Sequence, residues 1–115
     1  MPIKRSTDQK SVTLAEFYER ARDSDDAVAS EIGKAMLEWI AAIDQQFPNR
    51  LIWGVTSLYR LQLHHVEHYT SDIYTSIIAT KGEYHIEFNN QEKQKTIINS
   101  LSKAMAILEE ILENT

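Results

Sequence analysis

Apolar residues alternate with polar ones from about Leu58 to Phe88 and then recur every three to four positions from Ile97 to Leu112. Alternation marks a half-buried strand, and a step near 3.5 marks an amphipathic helix. The chain therefore reads as a sheet followed by a helix that covers it.

Upstream the pattern is helical. Residues Met1 to Val12 carry few apolar side chains and are expected to form a mobile N-terminal arm. Thr13-Leu14-Ala15-Glu16 has the form of a capping box, in which the hydroxyl accepts from a backbone N–H three residues on and the carboxylate reaches back. Leu14, Phe17, Tyr18 and Ala21 then share one face of a short helix, Leu14 to Arg22. Asp23-Ser24-Asp25-Asp26 supplies a second cap. Val28, Ile32, Ala35, Met36, Trp39, Ile40 and Ile43 mark the longer helix that follows, and Pro48 stops it at or before Phe47.

From Leu51 the stretch Trp53, Val55, Leu58, Tyr59, Leu61 and Leu63 has strand composition, and Gly54 suggests a bend. Leu51 to His64 is expected to be one bent strand rather than two. Asp72 to Thr80 reads as the next strand, Lys81-Gly82 as a tight turn and Glu83 to Phe88 as its antiparallel partner. Asn89-Asn90-Gln91-Glu92 then caps a last helix, along which Ile98, Leu101, Met105, Leu108 and Leu112 form a stripe widened by Ile97, Ala104 and Ile111. So wide a stripe suits a sheet face better than a two-stranded coil. The expected class is α+β in the order ααβββα: two N-terminal helices, a three-stranded antiparallel meander and a long C-terminal amphipathic helix. The second and last helices share one sheet face, and residues 13–115 make one domain.

Composition changes this picture little. At 115 residues, 43% hydrophobic and 25% charged, the chain can bury a core without a covalent staple. The absence of cysteine excludes disulfides, thiol catalysis and thiolate metal sites. No apolar run approaches the length of a membrane span, and no signal-peptide core follows Met1, so a cytoplasmic location without membrane contact is expected. A net charge of −5 opposes attraction to phosphate backbones, so nucleic acid is not expected as a partner. The same charge steers a basic protein toward the chain.

Candidate chemistry centres on histidine. His64, His65 and His68 fall close together and His85 follows, which would suit a metal or acid–base enzyme if the imidazoles converged. Solvated histidines at a strand end are the simpler expectation, because the spacing lacks the glutamate of the HExxH motif. The aspartate cluster cannot be a calcium loop: counted from Asp23, its sixth and twelfth places hold Val28 and Lys34. Glycine-rich phosphate loops and the GxSxG nucleophile elbow are absent from the sequence. No cofactor and no metal is expected.

If Tyr84, Ile86 and Phe88 face the core, Glu83, His85 and Glu87 share the opposite face, and Leu61 and Leu63 likewise turn Arg60, Gln62 and His64 outward. That face is polar and carries both signs of charge. Trp39 is assigned to the core, and Trp53, Tyr59, Tyr69 and Tyr74 to packing in or near strands. The last helix, opened at Asn89, would carry Lys93 and Lys95 in its first turns and Glu109, Glu110 and Glu113 in its last, the reverse of what its dipole favours. An acidic end so placed could wait for a cationic partner.

These readings converge on a small acidic protein-binding module of bacterial inhibitor, immunity or chaperone type that acts by shape and charge without catalysis. Its binding residues are expected among Arg60, Gln62, His64, Glu83, His85, Glu87, Glu109, Glu110 and Glu113. Two other readings are an enzyme built on His64, His65, His68 and His85, and a homodimer with the last helix as its seam.

Overall fold

The computed structural model describes residues 3–5, 13–50, 52–64, 74–80, 82–89 and 93–113. Their elements run β1 (Ile3–Arg5), α1 (Leu14–Arg22), α2 (Ala27–Gln46), β2 (Ile52–Ser57), β3 (Arg60–His64), β4 (Tyr74–Thr80), β5 (Glu83–Asn89), β6 (Lys93–Ile98) and α3 (Leu101–Glu113). The six strands lie in one sheet in chain order. β1 is parallel to β2, and each later pair is antiparallel. The class is α+β, with three helices; the antiparallel part has five strands, where three were expected.

Local chemistry places the first two helices where their caps predict. Thr13 Oγ1 accepts from the backbone N–H of Glu16 at 3.1 Å and donates to the Glu16 carboxylate at 3.1 Å. Asp26 caps α2 by accepting from the N–H groups of Val28 and Ala29 at 2.9 and 3.3 Å. α2 ends at Gln46, one residue before the Phe47-Pro48 pair. α1 folds back along α2, and Gly33 is the point of closest approach: a Cβ there would lie 2.3 Å from Arg22 N and 2.6 Å from Tyr18 O.

The core lies between α2 and α3 on one side and the sheet on the other. Met36, Trp39, Ile40 and Ile43 of α2 and Leu108 and Leu112 of α3 meet Leu61, Ile77 and Ile86 from three neighbouring strands. The register sets these strand residues side by side, pairing Leu61 with Ile77 and Ile77 with Ile86. The stripe of α3, Ala104, Met105, Leu108 and Leu112, is buried within this single chain.

Four expectations are corrected. Leu51 to His64 is not one bent strand, because β2 and β3 form a hairpin through the two-residue turn Leu58-Tyr59, with Ser57 paired to Arg60. Leu58 adopts φ 55° and is 90% exposed, so a leucine holds a left-handed place that usually signals itself as glycine or asparagine. Gly54 is no bend either. It sits inside β2 because a Cβ would press on Leu14 Cδ1 at 2.8 Å and Leu61 Cδ1 at 3.1 Å.

The last helix does not open at Asn89. Asn89 ends β5, residues 90–92 lie outside the described residues, and Lys93–Ile98 is a sixth strand. Alternation and the β-branched run Thr96-Ile97-Ile98 favour extended chain there. α3 starts after Ser100, whose Oγ accepts from Lys103 N at 3.4 Å and whose carbonyl accepts from Ala104 N at 3.0 Å. Finally, within the expected N-terminal arm, Ile3–Arg5 is a strand on β2. Ile3 is 2% exposed, and its N–H donates to Asp44 Oδ1 at 3.3 Å.

Candidate functional site

The pleat divides the strand residues between two sides. Leu61, Leu63, Ile77 and Ile86 face the helices, and the register puts Arg60, Gln62, His64, Glu83, His85 and Glu87 on the opposite face, as alternation predicts. One row across that face reads Val55, Gln62, Ser76, Glu87 and Lys95. It mixes apolar, neutral and charged groups. α2 and α3 lie on the other side of the sheet, among the core residues.

His64 does not behave as a solvated strand-end histidine. It is 2% exposed, stacks on Tyr74 with ring centroids 5.1 Å apart and places Nε2 3.2 Å from Gln62 Oε1. Trp53 is its register partner on β2. The ring therefore acts as a packed aromatic. His85 is half-buried, its Nε2 3.7 Å from Glu83 Oε1 and its Nδ1 without a hydrogen-bond partner among the described residues.

The two histidines stand far apart. His85 pairs with Ile78 and His64 stacks on Tyr74, four positions away along β4, which separates them by about 13 Å in the strand direction alone. They cannot ligate one ion. His65, His68 and Tyr69 lie outside the described residues. Among the described residues no three His, Cys, Asp or Glu side chains are grouped closely enough to hold a metal.

The acidic end of α3 belongs to the other side of the molecule. Leu108 and Leu112 bury the helix against the inner sheet face, so Glu109, Glu110 and Glu113 cannot share a surface with Glu83 and Glu87. Glu109 Oε2 accepts from Gln46 Nε2 at 2.8 Å. Half of the expected reversal of helix charge disappears, while Glu109, Glu110 and Glu113 do occupy the last turns of α3. Lys93 and Lys95 are on β6, and the C-terminal end of α3 receives a cation from elsewhere in the chain, because Arg50 donates to the Leu112 carbonyl.

Charge is sorted between the two layers. The three helices carry eight Asp and Glu against four Lys and Arg, hence −4. The strands carry two Glu against five Lys and Arg, hence +3. On the helical side, α2 and the β4–β5 turn bound a cleft of about 290 Å³ lined by Glu31, Lys34, Glu38, Thr80, Gly82 and Tyr84. Beneath it Trp39 packs edge-on to Tyr84, centroids 5.2 Å apart.

Trp39 is fully buried as expected, whereas Trp53 and Tyr74 lie half-buried on the outer sheet face and Tyr59 is exposed in its turn. Asp44 was not singled out by the sequence. Burial pushes its carboxyl above the usual range, and the Ile3 N–H pulls the other way. The adjoining Ile3 was the available signal, an apolar residue in an otherwise polar stretch. Among the described residues no helix is long and apolar enough to cross a membrane. Compared with protein families, with curated proteins and with solved structures, the chain matches none.

Proposed function

We propose that this chain is a non-catalytic protein-binding module that offers its helical side to a basic protein partner, in the manner of an inhibitor, immunity or chaperone protein. The observation that carries the reading is the sorting of charge: −4 on the helices against +3 on the strands. Such a separation orients an approaching cationic surface toward α1, α2 and α3 before any contact forms. Glu31 and Glu38, both exposed at the cleft beside Tyr84, are the residues best placed to meet it.

Affinity capture with the intact chain and with the double variant E31K/E38K tests this. A basic protein should be retained at low salt, released near 1 M salt, where the Debye length falls to about 3 Å, and lost from the variant. Cross-links should fall on the helical segments. Retention unaffected by the variant, or cross-links confined to the outer sheet face, refutes the assignment.

A further inference from the structure

Among the described residues β6 is the last strand of the sheet and pairs on one side only, through six register positions with β5. Lys95, Thr96 and Ile97 are consecutive and all exposed, although the pleat points Thr96 to one face and its neighbours to the other. Nothing in the described residues covers either face of the strand at this point, and Ile97 is 54% exposed. The opposite end of the sheet differs, since β1 is three residues long and its Ile3 is buried. An open edge offers a row of unpaired N–H and C=O groups to another extended chain.

From this we infer that β6 accepts an acidic extended segment of another protein as a seventh strand, with carboxylates alternating along the face of Lys95 and apolar side chains along the face of Thr96. Charge selects the occupant. The charged residues of β6 are Lys93 and Lys95, two positions apart and of one sign. A second copy paired through β6 would bring four lysines together, the arrangement by which natural edges repel their own kind. A strand bearing carboxylates at alternate positions meets the same edge with attraction. The inference does not depend on the helical side, and E31K/E38K should leave it unchanged.

The probe is a synthetic peptide of alternating Glu and Val, with an alternating Lys and Val peptide as control, followed by backbone amide shifts and hydrogen exchange. The acidic peptide should shift the amides of residues 95–97 and slow exchange at alternate β6 positions about fivefold, the protection expected of one new ladder bond each. The basic peptide should do neither, and K95E should abolish the effect while leaving the other amides in place. Shifts mapping elsewhere, equal response to both peptides, or no shift overturns the inference. So does concentration-dependent protection of β6 without peptide, which would identify a second copy as the occupant.

Discussion

Replacing Gly33 by alanine isolates the contact that holds α1 against α2. In an open helix the change is favourable by about 1 kcal/mol, because alanine has the higher helix propensity. Here the new methyl would meet backbone on three sides, Arg22 N at 2.3 Å, Tyr18 O at 2.6 Å and Arg22 Cα at 2.8 Å. Main-chain atoms cannot rotate away, so α1 must retreat by about 1 Å to restore ordinary contact near 3.5 Å. That movement stretches the bond from Ser30 Oγ to the Arg22 carbonyl, 2.7 Å, and the bond from the Tyr18 hydroxyl to the Tyr59 carbonyl, 3.1 Å. Overpacking costs about 1–3 kcal/mol and each weakened hydrogen bond about 1 kcal/mol, against the propensity gain of about 1 kcal/mol. The net expectation is a loss of about 2–4 kcal/mol, or about 10 °C in Tm for a chain of this size. Urea unfolding followed by circular dichroism measures it. The exposed Ala41 of α2, changed to glycine, calibrates the propensity contribution separately. A G33A variant as stable as the parent, or more so, would show that the helices do not touch at Gly33.

Three further outcomes follow from the same geometry. Leu58→Gly should stabilise the chain by about 0.5–1 kcal/mol, because it relieves a left-handed backbone at an exposed turn, and an unchanged urea midpoint would argue against that conformation. The raised Asp44 carboxyl binds its proton more tightly in the folded chain than in the unfolded one, so its contribution to stability is complete below about pH 3.9 and is lost as pH rises through the higher folded value. Asp44→Asn keeps an acceptor for the Ile3 N–H, and its stability relative to the parent should therefore climb across that window; a pH-independent difference would contradict the assignment. Leu108→Asp should unfold the chain rather than release folded monomers, since Leu108 is fully buried within one chain, and sedimentation with circular dichroism separates these results.

Where a side chain carries the rule that shapes the backbone, the sequence was legible. The hydroxyl of Thr13, the carboxylate of Asp26 and the positive φ of Gly82 each act within a few residues, and each element they govern was expected where it lies. The outward set Arg60, Gln62, Glu83, His85 and Glu87 followed from the pleat alone. The errors arose where a distant contact decides. Leu58 shows no turn chemistry of its own; the ladder from Ser57–Arg60 inward compels its φ. Ile97 and Ile98 fit a helical step as well as an extended one, and pairing with β5 chooses between them. Arg50, more than sixty residues from Leu112 in sequence, brings a cation to the acidic end of α3 that no local pattern announces.

The chain order of the sheet also bears on how the molecule forms. From β2 to β6 every strand pairs with its sequence neighbour, so these ladders close short loops and cost little chain entropy. The ladder between Ile3–Arg5 and β2 is different, since α1 and α2 intervene between the two strands. Low contact order in the meander favours its early assembly, and the first strand is expected to join a surface already built by the helices and β2. Kinetically, the N-terminal strand should then be the last thread drawn into the fabric: core substitutions in the meander should slow folding, and substitutions at Ile3 should chiefly hasten unfolding.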